Sequence, residues 1–181
     1  MKITEIINVD GLLVDNRRAE MLAYNYDELI EIFKTLPAAN VNVLKGEVDG
    51  CTLAARNGWG NLLTWVSTHS PYPGIWKGKG FSQINDKQGL GYNRFSLFGV
   101  EHRSMRFVTG PGLSVVDNKP VLLMDYRPYV NPLGMLHALD EIRQLDDNNY
   151  LLCGHWRWPL FGRSQNLFYH IYGPIGEFKD K

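Results

Sequence analysis

The residues whose types could do chemistry lie in three short stretches of the second half of the chain. In the first, Val121-Leu122-Leu123-Met124-Asp125-Tyr126-Arg127, a carboxylate and a guanidinium end an apolar run. In a strand, period two sets Asp125 and Arg127 on one face and Tyr126 on the other with Leu122 and Met124. A carboxylate buried there costs several kcal/mol unless it is paired. Asp125 is then either a structural strand-end group bonded to Arg127 or Arg106, or, if its face lines a cavity, a general base or an anchor for a polar ligand group.

The second stretch, Leu151-Leu152-Cys153-Gly154-His155-Trp156-Arg157-Trp158, has a greasy face with Leu152, Trp156 and Trp158 and a polar face with Cys153, His155 and Arg157. The two tryptophans suit stacking on a flat aromatic ligand, or they are core. His155 reads as a proton donor, a haem ligand or a surface residue. In the third stretch, Leu167-Phe168-Tyr169-His170-Ile171-Tyr172, His170 shares a face with Phe168 and Tyr172 and is either a satisfied core histidine or a ligand. With Glu141, the candidates for acid, base or oxyanion work are Asp125, Tyr126, Arg127 and His155. Trp76, Tyr92, Met105, Phe107, Met124, Trp156, Trp158, Phe168 and His170 are the expected lining of a ligand pocket.

Several function classes are excluded by pattern. There is no nucleophile elbow with a Ser-His-Asp order, no P-loop, no dinucleotide fingerprint and no paired metal-ligand spacing, so neither a metal nor a nucleotide cofactor is expected. Nineteen basic and nineteen acidic side chains balance, and no segment gathers enough Lys and Arg to track a phosphate backbone, which argues against nucleic acid. Cys51 and Cys153 have no ligand spacing and read as reduced thiols. Charges at Lys2, Glu5, Asp10, Asp15, Arg17 and Arg18 interrupt any apolar leader, and no window is long enough to span a bilayer, so a cytoplasmic protein without a membrane partner is expected. A homodimer is compatible with all of this.

These groups need a scaffold, and the chain changes character near residue 37. Leu29, Ile30, Ile32, Phe33 and Leu36 recur at helical spacing, Asn25 and Glu28 stand as N-cap and capping-box partner, and Pro37 ends the helix. The segment 3–13 reads as a strand or as a short helix. After residue 70 the period shortens, and strands are expected near 74–84, 91–99, 102–109, 112–117, 119–127, 139–146, 149–158 and 165–172. Turn chemistry separates them at Asn85-Asp86-Lys87, Gly110-Pro111-Gly112, Asp117-Asn118 and Asp146-Asp147-Asn148-Asn149. Asn131-Pro132 suits a short helical turn over 132–137 before the sixth strand, although a helix running on through Asp140 fits the spacing too.

About eight consecutive strands leave edges that closure removes, and a barrel of that size is wide enough for one small ligand. The expectation is therefore a mainly β, single-domain chain. Residues 1–70 would form a helical extension and lid loop, and 71–181 an antiparallel barrel. A sandwich or a curved sheet holding a helix is the alternative. The aromatic loop Asn57–Pro73, with Trp59, Trp65, His69 and Tyr72, would sit at the barrel mouth.

The segment Gly74-Ile75-Trp76-Lys77-Gly78-Lys79-Gly80-Phe81 resembles the G-x-W-x-G signature of calycin-type barrels, including the opening strand of lipocalins and the longer form in nitrobindin-like haem proteins. More of the chain resembles the bacterial GXWXG-type proteins of unknown function. The counterparts are Leu36-Pro37, Gly46 to Gly50, the Trp76 to Phe81 strand, Asp140-Glu141-Ile142-Arg143 through Leu152-Cys153-Gly154, and Phe168-Tyr169. Val48 stands where that family carries Trp. The resemblance implies a lipocalin-like barrel holding something apolar. The glycines of the Trp76 strand would let it bend at a barrel corner. Three functions follow as expectations: binding of a small apolar or aromatic molecule, a cofactor-free isomerase or cyclase, and haem binding through His170 or His155.

Overall fold

The computed structural model describes residues 7–9, 12–14, 16–56, 74–130, 138–158 and 162–179, with the backbone alone at 7–9, 12–14, 156–158 and 162–166. A short hairpin of β1 (Ile7–Val9) and β2 (Leu12–Val14) precedes α1 (Asn16–Ala23) and α2 (Tyr26–Thr35). The open choice over 3–13 thus resolves to strand where it is described. The expected cap holds α2. Asn25 Oδ1 accepts from the amides of Asp27 and Glu28, and Glu28 Oε2 accepts the Asn25 amide at 2.8 Å.

Eight antiparallel strands close into one barrel in sequence order, from β3 (Gly46–Ala55) through β4 (Ile75–Asn85), β5 (Gln88–Leu97), β6 (Val100–Leu113), β7 (Pro120–Asp125), β8 (Leu139–Gln144) and β9 (Asn149–Trp158) to β10 (Gly162–Gly176). The last strand pairs with the first, from Leu167↔Ala55 to Gly176↔Glu47, so this sheet has no edge. This is an up-and-down antiparallel barrel.

Two expectations about strands need correction. The barrel begins at Gly46, not near residue 71, because β3 lies between β10 and β4. Conversely, Gly110-Pro111-Gly112 is no turn. It continues β6, pairing with Leu123, Leu122 and Val121 of β7. The pairing of β5 with β6 ends at Gly89↔Thr109, so Pro111 lies where β6 has only one neighbour and a missing amide hydrogen is tolerated. The true turn is Ser114–Lys119, closed by the Ser114 amide on the Lys119 carbonyl at 2.9 Å. The expected helical turn at 132–137 and the aromatic loop 57–73 lie outside the described residues.

Two apolar layers result. One cluster takes residues from every barrel strand, among them Val48, Phe81, Phe95, Phe107, Leu122, Ile142, Leu152 and Ile171, and therefore lines the interior. Ala39, Val41 and Leu44, from the linker after α2, belong to it and close one barrel end. The second layer joins Met21, Leu29 and Phe33 of the helices to Val121, Leu151, Cys153 and Phe168 on the outer wall. Arg143 ties it together, donating to the Phe33 carbonyl at 2.9 Å and to Asp117 at 2.7 Å. The opposite rim carries the connections 56–74 and 126–138, the longest in the barrel. Among the described residues, no helix is long and apolar enough to cross a membrane.

Candidate functional site

A strand irregularity builds the site. Between β4 and β5 the register steps from Trp76↔Phe95 to Gly78↔Arg94, so two residues of β4 oppose one of β5. Gly78 takes φ +141° and its missing Cβ leaves room for the Val48 carbonyl. This bulge shifts the alternation, so Trp76, Lys79 and Phe81 all turn inward while Lys77 stays exposed. Gly50 on the neighbouring strand lets the Trp76 ring lie against β3, where any Cβ would overlap it.

Lys79 is the sole buried lysine among the described residues. Its amine donates to Asn93 Oδ1 at 2.8 Å, Tyr126 Oη at 2.7 Å and Asp140 Oδ2 at 3.3 Å. Tyr126 Oη donates to the same Asp140 oxygen at 3.0 Å, and Trp76 Nε1 donates to Asn93 Oδ1 at 3.0 Å. Four rings surround the ammonium, with centroids at 5.4 Å (Phe107), 5.5 Å (Tyr126), 5.6 Å (Trp76) and 5.9 Å (Tyr169). Burial pulls the Lys79 amine below the usual lysine range, and the Asp140 carboxylate opposes that shift. Burial, reinforced by Asp140, pushes the Tyr126 and Tyr169 phenols well above theirs. Asp140 is the second residue of β8 and Tyr126 follows β7, so the cluster lies toward the long-loop rim.

Of the five residues expected to do acid–base work, only Tyr126 reaches this cluster. Asp125 and Arg127 share the opposite face, as period two requires, and form their own ion pair at 2.6 Å. Asp125 borders an outer-wall concavity of about 240 Å³ beside Ile84, Val108 and Leu123. Glu141 and His155 also face outward. Glu141 accepts from the Ser114 hydroxyl and from the Val115 amide at 2.6 Å, and His155 Nε2 lies 3.0 Å from its carboxylate, both side chains being fully buried.

Among the expected lining residues, Trp76, Phe107 and Met124 are interior and Met105 packs against them. Tyr92, Phe168 and His170 are not. Tyr92 donates to Glu47 at 2.9 Å on the outer wall and stacks on Phe178. Phe168 packs on Phe33 and Tyr26 of α2. His170, on the Phe168 face, meets Asn149 Oδ1 at 2.8 Å. With His170 and His155 both turned away from the interior, neither fits a haem held inside the barrel. Trp156 and Trp158 lie on β9 opposite Ser164 and Gly162, and their side chains are outside the described residues. Sequence reasoning missed Lys79, Asp140, Asn93 and Tyr169. Gly78 inside a strand was the available signal for the bulge that brings Lys79 in.

Comparison with known proteins shows a likeness of fold. A protein from Thermomonospora curvata superposes with a TM-score of 0.58 at 12% identity, over 87% of this chain and 96% of that one. Bovine odorant-binding protein complexed with its natural ligand gives a TM-score of 0.42 at 9% identity, over 80% and 78% of the two chains, and its complex with undecanal gives the same score. The chain matches no protein-family model and no curated protein. The resemblance to GXWXG-type proteins therefore rests on the motif residues alone.

Burial on the barrel wall also governs the two thiols. It pushes Cys51 up to about 11 and Cys153 well above the ordinary thiol value. Neither should alkylate in native protein at neutral pH, whereas both should react in denaturant. Intact-mass analysis after iodoacetamide checks this, and a native adduct on Cys153 would show that the helical cover opens.

Proposed function

We propose that the protein binds, in the cytoplasm, a small apolar or aromatic molecule inside the rim-side half of the barrel, with a polar group of that molecule set at Lys79, Asn93, Tyr126 and Asp140. One observation carries this reading: a buried lysine–carboxylate pair inside the barrel, toward the rim with the longest connections. Such a pair costs several kcal/mol of desolvation per ion, and an apolar replacement of equal volume serves stability as well or better. A perturbed, closely partnered charge buried among aromatic rings supports a binding role more than a structural one.

The test is a titration of tryptophan fluorescence with apolar molecules that do and do not bear a hydroxyl or carbonyl group. Polar-headed members should quench saturably. Lys79→Met should weaken them about tenfold, close to 1.4 kcal/mol, and leave plain hydrocarbons less affected. Equal affinities for parent and variant, or no saturation with any member, would remove the reading.

A further inference from the structure

We propose that Lys79 Nζ condenses with the carbonyl group of an aldehyde ligand to form an imine, with Asp140 as its counterion; this rests on the binding reading above and names the substrate class of that site. Three features support it. The amine is held by a carboxylate oxygen at 3.3 Å and a phenol oxygen at 2.7 Å, a proton acceptor and a proton carrier in direct contact with a nucleophile. Asp140 and Tyr126 are themselves joined at 3.0 Å, so a proton given up by the amine can return through either. The four rings that stabilise an ammonium stabilise a protonated imine equally, because the nitrogen carries one positive charge in both.

The step balances without an added oxidant or reductant. An ammonium proton passes from Nζ to Asp140 Oδ2, and the freed lone pair attacks the carbonyl carbon while the C=O π electrons move to oxygen. That oxygen takes the proton held by Asp140, and the attacking nitrogen then returns one of its two remaining protons to the Asp140 carboxylate, which leaves a neutral carbinolamine. The nitrogen lone pair then forms C=N as the hydroxyl, protonated again, leaves as water. Aldehyde plus amine become imine plus water. The titratable groups facing Nζ are Asp140 from β8, Tyr126 after β7 and Tyr169 from β10. Burial lowers the proton affinity of the amine, which makes the nucleophile available nearer neutral pH than on an exposed lysine. The buried position of the amine also shields the imine from water once it has formed.

The experiment uses the full chain with cinnamaldehyde and decanal, each beside its alcohol, in cyanoborohydride at neutral pH. Tryptophan fluorescence reads binding, and peptide mass mapping reads reductive trapping. The expected product is one adduct on Lys79, heavier by the aldehyde less one oxygen atom, exceeding labelling of the exposed neighbour Lys77 by about tenfold or more. If the alcohols bind but Lys79 is not labelled above Lys77, imine chemistry is overturned and binding stands. If neither alcohols nor aldehydes quench saturably and no lysine is selected, both fall.

Discussion

Asp140→Leu should destabilise the protein by about 3–5 kcal/mol, because it leaves the Lys79 ammonium sealed in the barrel without a countercharge. Lys79→Met combined with Asp140→Leu should recover most of that loss. Recovery stops about 1–2 kcal/mol short, since Tyr126 loses the acceptor of its own proton while Asn93 still donates to it. Urea unfolding of the two single variants and the double variant measures the coupling. The pH dependence has a definite sign. Folded Lys79 releases its proton below the ordinary lysine value of 10.5, whereas the unfolded chain keeps it up to that value. In that interval the unfolded state binds more protons, so stability rises with pH. The rise should extend over a wider pH interval in Asp140→Leu, where nothing opposes burial. A single variant that costs under about 1 kcal/mol and shows no pH slope would mean that water reaches the amine.

Gly78→Ala should cost about 3 kcal/mol or more, because a Cβ there would sit 2.1 Å from the Val48 carbonyl oxygen and φ is +141°. In a chain of this size that is a fall in Tm of roughly 10 °C. The informative contrast is Gly110→Ala, where a Cβ would meet nothing nearer than 3.8 Å. That change should be neutral or stabilise by about 0.4–1 kcal/mol through the unfolded state. Differential scanning calorimetry of the pair reads both. Similar melting temperatures for Gly78→Ala and the parent would show that β4 tolerates a side chain at the bulge, and that a glycine is not what turns Lys79 inward.

Much of the local structure was legible. The Asn25–Glu28 cap was, because its two reciprocal hydrogen bonds span three residues. So was the β4–β5 hairpin, where Asn85 Oδ1 accepts from the amides of Lys87 and Gln88. Gly110-Pro111-Gly112 misled because its residues carry turn chemistry, and only the overhang of β6 beyond β5 makes them acceptable in a strand. Strand β3 escaped notice because Gly46 and Gly50 interrupt it. Yet those glycines answer close approaches by Gly176 and Trp76, from elements far along the chain.

Relative orientation along a strand was decided by the sequence alone, since alternation is a property of the extended backbone. Tyr126 opposes Asp125 and Arg127, and His170 keeps company with Phe168. Which face turns inward was decided only by tertiary structure. The helices cover part of the outer wall, so outward residues such as Leu151, Cys153 and Phe168 are as buried as the inward Leu152 and Ile171. Hydrophobicity therefore cannot distinguish the interior from the covered wall. The central cluster depends further on the phase shift at Gly78 and on partners 47 and 61 residues from Lys79, which barrel closure alone brings within hydrogen-bond reach.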